Sequence, residues 1–201
     1  MPFPDYSQPV RIVMPLYEQP IIIFTSASSS IATLQDLKER RVSTGLAGSI
    51  TEELAGYILK ALEIQEKDFS RASFDEEESL SALKEGSIDA FFWSGNVADV
   101  ATMSNMDLTL LPIRGADAET VMQGNPGIFH IGKIPAASSV LDSDFKTLSV
   151  TPVLLTMEGF PGDVLQQVLI SLSDKYQFEE NINADIKAYF HEGTTEYFLT
   201  H

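Results

Sequence analysis

Two short apolar runs, residues 10–14 and 21–24, open the patterned part of the chain; both are rich in β-branched residues and a turn bounded by Pro15 and Pro20 joins them. They predict a pair of buried strands. Serines at 26, 28, 29 and 30 form a polar loop, after which residues 33–40 give a helical turn or two. A strand follows and breaks at Gly45 and Gly48. Over residues 51–62, Leu54, Ala55, Ile58, Leu59 and Leu62 recur at helical spacing. Residues 69–74 then predict a strand, and 75–86 a helix with Asp75 and Glu78 at capping-box spacing and Gly86 as its stop. A strand ending at Trp93, a helix over 98–106 and a strand over 108–113 complete an alternation that argues a mainly parallel α/β sheet with helices on its faces.

From 114 to 145 the periodicity fades into a stretch rich in Gly, Ala and Ser, read as loops and short helices. Residues 147–157 form one more apolar strand run. Residues 161–176 predict a strong helix with Pro161 near its start and Val164, Leu165, Val168, Leu169, Leu172 and Tyr176 on one face. A helix near 184–190 and a polar tail close the chain, with no internal repeat.

Charge narrows the partners. Thirteen Lys and Arg against 29 Asp and Glu give −16, and the densest basic cluster, Lys38, Arg40 and Arg41, is interleaved with Asp36 and Glu39. Nucleic acid and anionic membranes are therefore not expected partners. The chain has no cysteine, which removes disulfides, thiolate metal sites and thiol nucleophiles. The first ten residues, with Pro2, Pro4, Asp5 and Pro9 and no Lys or Arg, do not read as a signal peptide. No apolar stretch approaches membrane-spanning length.

Enzyme motifs fail in turn. Gly127 to Lys133 has the spacing of a phosphate-binding loop, but Ile134 stands where the Mg²⁺-holding hydroxyl belongs. His130, His191 and His201 lack metal-ligand or triad spacing and read as packing or surface residues. The acidic run at 75–78 is a solvated first helical turn. No cofactor and no metal are expected.

Two turns remain as candidate chemistry. In Thr44-Gly45-Leu46-Ala47-Gly48-Ser49-Ile50-Thr51-Glu52 a strand passes through a Gly-rich turn into a helix, where N–H groups from Ile50 onward and the hydroxyls of Ser49 and Thr51 can receive an anion such as a carboxylate. Equally, Ser49 and Glu52 fit a capping box that merely finishes the helix. The second turn is Trp93-Ser94-Gly95-Asn96, at another strand end. Ligands of open α/β sheets sit beyond the carboxyl ends of strands, so the two turns can face one pocket. Phe91, Phe92 and Trp93 are at least as readily core rings.

The order of motifs resembles the TAXI family of solute receptors for TRAP transporters: MPLYEQP, then LQDLKERRVSTGLAGSITEELAGYILKALEI, ALKEGSIDAFFWSGN, KIPAAS, TLSVTPVLLT and HEGTTEYF. The resemblance implies an α/β fold of the type II periplasmic-binding-protein kind. It implies mainly the second lobe plus hinge strands and C-terminal helices, since no Gly-rich first-lobe segment has a counterpart. The implied division is crossing strands over 1–29, an α/β ligand-binding lobe over 30–145, and a return strand with C-terminal helices over 146–201. It further implies a noncatalytic, periplasmic protein that captures a small anionic solute, glutamate or another amino acid or a dicarboxylate, for TRAP-type permease subunits. Gly48, Ser49, Thr51, Trp93, Ser94 and Gly95 match the ligand segments, and Tyr17 and Val150 fall on hinge strands. Ile50 and Asn96-Val97 depart from the family pattern. The second functional class is a receptor-like module with little solute affinity that oligomerises through exposed strands, with Ile12, Val13, Ile22, Val150, Val153 and Leu154 losing cover.

Overall fold

The computed structural model describes residues 9–96, 108–134, 144–173 and 190–195. The helix expected over 98–106, most of the one near 184–190, and Val97, Tyr176 and His201 lie outside the described residues. By contacts the chain forms two units, 1–17 with 151–201, and 18–150.

The unit 18–150 is built on a seven-stranded mixed sheet in the order β4-β3-β5-β2-β8-β7, with β6 also paired to β2. Its strands are β2 (Gln19–Ser26), β3 (Arg41–Ser43), β4 (Ser70–Ala72), β5 (Ala90–Ser94), β6 (Leu108–Pro112), β7 (His130–Ile134) and β8 (Phe145–Val150). The helices are α1 (Ile50–Ala61), α2 (Glu76–Lys84) and α3 (Gly115–Gly124). The local alternation 41–94 is the β-α-β-α-β run expected, and β3 pairs in parallel with both β4 and β5.

The long strand β2 is antiparallel to β5, β6 and β8 and is buried from Pro20 through Thr25, so its apolar side chains feed both faces. Ile21 and Ile23 join Leu54, Ala55, Ile58 and Leu59 of α1 and Ala118 and Val121 of α3. Ile22 and Phe24 join Phe91, Trp93 and Ala82 and Leu83 of α2. Two of the three described helices facing these layers are capped by side chains, as expected from sequence. Asp75 and Glu78 complete a reciprocal box on α2, and Ser49 Oγ accepts the Glu52 N–H at α1.

Along one edge of β2 the partner changes. Gln19 and Pro20 face Val150 and Ser149 of β8, whereas Ile22 through Ser26 face Pro112 through Leu108 of β6. Pro20 and Pro112 offer no N–H at this seam. The buried Thr147 hydroxyl fills the gap, donating to the Ile21 carbonyl at 2.7 Å and accepting from Ile113 N–H at 3.1 Å.

Three expectations need correction here. The sheet is not mainly parallel: among the described residues only the β3 pairings with β4 and β5 are parallel, and β2, which enters from outside the alternating run, pairs antiparallel with β5, β6 and β8, as β7 does with β8. Residues 114–145 contain α3 and β7 rather than only loops and short helices, and α3 was hard to read because its core face is carried by just Ala118 and Val121. The run 147–157 is two strands, β8 in this unit and β9 (Val153–Met157) in the other, divided at Thr151-Pro152.

In the other unit β1 (Val10–Pro15) pairs antiparallel with β9, with a bulge between Ile12 and Met14. The bulge lets consecutive Val13 and Met14 both be buried, against Leu165 and Leu169 of α4 (Gly162–Ser173). Val164 and Val168 of α4 are exposed, so the apolar face is narrower than the sequence suggests. The expected loss of cover is also redistributed. Val13, Ile22 and Val150 are buried, and the open positions of the sheet are Val10, Val153, Leu155 and Met157.

His191, also buried, ties the 190–195 segment down. Its N–H donates to the Ile12 carbonyl. The ring Nδ1 accepts the Gly193 N–H, which leaves Nε2–H to donate to the Glu158 carbonyl at 3.1 Å. Gly193 then sits so close to Gly162 that a Cβ on it would stand 3.0 Å from the Gly162 Cα.

Replacing Thr147 by Val keeps the shape but orphans the Ile113 N–H and the Ile21 carbonyl. At about 1–3 kcal/mol for each buried unsatisfied group, urea unfolding is expected to show a clear drop in midpoint at unchanged slope, well beyond that of Thr120→Val, whose hydroxyl bonds its own helix at an exposed site.

Candidate functional site

Parallel pairing sets Val42 opposite Ala90 and Ser43 opposite Phe91, so the turn after β3 and the turn after β5 leave the sheet side by side at one end. This register is pinned by Asp89, whose carboxylate takes the Arg41 backbone N–H and both ends of its guanidinium at 2.7–3.0 Å, while Asp89 N–H donates back to the Arg41 carbonyl.

The first turn owes its shape to Gly45 and Gly48, both at positive φ (99° and 79°). A Cβ on Gly45 would also crowd Thr51 Cβ and Ser49 Oγ at 2.9 and 3.0 Å. Ser49 caps α1 as the capping reading expected, but Glu52 reaches past it to accept the Gly48 N–H at 2.6 Å. The same carboxylate pairs with Arg71, which also holds Thr44 Oγ1 and Glu66. One anion, the protein's own, already occupies part of this turn. The N–H groups of Ile50 and Thr51 open the helix and have no preceding turn to bond.

The second turn carries Ser94, Gly95 and Asn96. Trp93 is a core ring, 4 % exposed, packed edge-on to Phe24 with its indole N–H on Glu76 at 2.8 Å. Its benzo edge lies beneath Gly95, where a Cβ would stand 2.5 Å from Trp93 Cζ2. Ser94 Oγ is buried and has no hydrogen-bond partner.

Sequence reasoning missed the rest of this sheet end. Ser94 pairs with Ile21 near the start of β2, Ser149 near the end of β8 pairs with Pro20, and His130 at the start of β7 pairs with Ser149. Glu18 immediately precedes β2. A continuous rim therefore runs from the β3 turn through Ser94 and Glu18 to Ser149 and His130, all within the unit 18–150. No local motif marks it, because the residues come from strand ends distant in sequence.

Among the described residues no group of three or more His, Cys, Asp or Glu is placed to hold a metal ion, and no helix is long and apolar enough to cross a membrane. The phosphate-loop spacing at 127–133 runs into strand β7, whose backbone pairs with β8 and forms no cradle.

The sequence pattern of the NMT1-like family matches residues 3–197. The chain belongs to the NMT1-like family. Solved structures similar to this family member include an ancestral arginine-binding protein bound to arginine (TM-score 0.48, 18% identity, covering 83% of this chain and 59% of that one). Another is an ABC transporter / periplasmic binding protein from Brucella ovis with glutathione bound (0.48, 15%, 91% and 51%). A third is the second substrate-binding domain of a putative amino acid ABC transporter from Streptococcus pneumoniae (0.45, 15%, 94% and 65%). The chain spans between about half and two thirds of the length of these proteins.

The Arg41–Asp89 pairing sets a pH expectation. Hydrogen bonds from the Arg41 guanidinium hold the Asp89 carboxyl below its ordinary value, against a smaller opposing effect of burial. A carboxylate with a lowered folded pKa stabilises fully above its unfolded value, about 3.9, and that stabilisation fades as pH falls through the folded value. Thermal melts should therefore show Asp89→Asn less stable than the parent at pH 7, with the gap closing below about pH 4.

Proposed function

We propose that this protein is a noncatalytic solute receptor of the type II periplasmic-binding-protein kind, and that its ligand half-site is formed by Gly48, Ser49, Thr51, Trp93, Ser94 and Gly95. The observation that carries this reading is the adjacency of the two strand-end turns at one end of the sheet, where open α/β sheets take their ligands. A solute carboxylate is received by the N–H groups of Ile50 and Thr51 and the hydroxyls of Ser49, Thr51 and Ser94, the Ser49 oxygen accepting the Glu52 N–H while its O–H donates outward, and competes with Glu52 for the turn. Trp93 acts from beneath, giving the Gly95 backbone a rigid floor.

The solute is of the amino-acid or dicarboxylate class, delivered outside the cytoplasm to membrane permease subunits of the TRAP type, as the TAXI-like order of motifs suggests. Tyr17 and Val150, the last residues before the chain passes from one unit to the other, serve as hinge positions. A second reading is favoured by the open apolar positions Val10, Val153, Leu155 and Met157: a receptor-like module that self-associates through β9 and holds solute weakly.

Calorimetric titration with amino acids and dicarboxylates, alongside sedimentation, separates the two. A monomer binding one solute with 1:1 stoichiometry supports the receptor; an oligomer silent to all of them supports the module. Within the receptor reading, Ser49→Ala should cost about 1 kcal/mol of stability as a lost cap and more in affinity, about 1.5–3 kcal/mol for a charge-assisted bond. A lowered melting midpoint with unchanged affinity would reduce Ser49 to its cap.

A further inference from the structure

The far side of the rim carries a polar group that nothing in the fold uses. Ser149 is fully buried, yet its hydroxyl has no hydrogen-bond partner. It lies against the Glu18 carboxylate. A Cβ built on Gly132 would collide with both Glu18 Oε1 and Ser149 Oγ, so the two oxygens share the space a side chain there would take. Glu18 accepts one backbone N–H, from Lys133 at 3.0 Å. Among the described residues no Lys, Arg or His forms an ion pair with it, and one N–H leaves most of a carboxylate's acceptor capacity unspent.

Of the acids at the neighbouring turns, Glu52 is answered by Arg71 and Gly48, and Glu76 gives its carboxylate to the indole N–H of the core ring Trp93; neither lies against an unpartnered hydroxyl. Among the described residues Glu18 is thus a carboxylate at the sheet end without a counter-charge, beside a buried hydroxyl without a partner. Those two groups fit one kind of occupant, a cationic nitrogen that donates to both.

We propose that Glu18 and Ser149, with Gly132 as the gap that admits them, form a subsite for a cationic nitrogen group of the solute. The proposal rests on the receptor reading and narrows it. Ser94 and Ser149 flank β2 on opposite edges, and two strand spacings put their backbones about 10 Å apart; because they pair with the consecutive residues Ile21 and Pro20, their side chains leave opposite faces, so a solute joining the Ser49 turn to Glu18 passes over the end of the sheet. A solute anchored by its carboxylate at the Ser49 turn reaches Glu18 only if its cation sits at the end of an extended side chain. That selects a basic amino acid such as arginine or lysine over glutamate or a dicarboxylate. Glu18 makes the choice by charge: a second carboxylate placed there meets an unscreened like charge, and a neutral group leaves Glu18 uncompensated.

The test is titration of the whole chain with L-arginine, L-lysine, L-glutamate and succinate, repeated on Glu18→Gln, Ser149→Ala and Gly132→Ala. Glutamine keeps an oxygen for the Lys133 N–H and removes only the charge, so Glu18→Gln should melt like the parent and lose at least tenfold in affinity for arginine. Gly132→Ala expels the carboxylate and should show the same loss. Ser149→Ala, which removes an unpartnered hydroxyl, should weaken arginine binding without lowering the melting midpoint. Arginine affinity unchanged in Glu18→Gln, or succinate or glutamate bound in preference, overturns the subsite and leaves the receptor intact. A parent protein that binds none of the four, but does bind another small solute, likewise overturns the subsite alone. Silence toward every amino acid and dicarboxylate overturns both.

Discussion

One hydroxyl, that of Thr147, lets a single strand serve two sheet segments. Strand β2 is too long for β6 to cover, and at Ile21 the chain has to hand one edge from β6 to β8 without leaving main-chain groups bare in a region closed to water. A side chain that both donates and accepts solves this, bonding the Ile21 carbonyl and the Ile113 N–H together. The Leu148 N–H completes the seam on the Ile113 carbonyl at 2.9 Å. Everything at the sheet end follows. Because β8 is carried into register beside Pro20, Ser149 arrives next to Glu18 and His130 beyond it, and the start of β2 is held by β8 before β5 takes up its other edge at Ile21.

The two ends of the rim are electrostatically unlike. On the β3 side the protein answers its own charges, with Arg71 spread over Glu52, Glu66 and Thr44 and the helix start partly filled by Glu52. That arrangement makes the turn rigid before any solute arrives, and it also means that a solute anion gains less there than an empty helix terminus would give it. On the β8 side Glu18 takes the Lys133 N–H but, among the described residues, no cation.

What the chain disclosed in advance was local. The β3-α1-β4-α2-β5 alternation, the caps at Ser49 and Asp75 and the core face of α1 are all set within a dozen residues, where periodicity and capping chemistry act. α3 escaped notice because helix spacing needs large apolar residues to be visible, and its buried positions are Ala118 and Val121. The split of 147–157 escaped because an apolar strand looks the same whichever sheet receives it; only Pro152 hinted at the break. Ser149 and Glu18 lie 131 positions apart, and their meeting depends on which strands flank β2, a fact that no short window of sequence contains.

The close packing of Gly162 on Gly193 couples two positions that the chain keeps about thirty residues apart. The crowding runs one way: a Cβ on Gly193 would press on the Gly162 backbone at 3.0–3.4 Å, whereas one on Gly162 would meet the Gly193 Cα at an ordinary 3.7 Å, so it is a methyl group at 193 that strains the 190–195 segment and the hold of His191 on the Ile12 and Glu158 carbonyls. In evolutionary terms the constraint is lopsided: this contact leaves position 162 free to take a small side chain, whereas position 193 stays glycine unless the start of α4 shifts to make room.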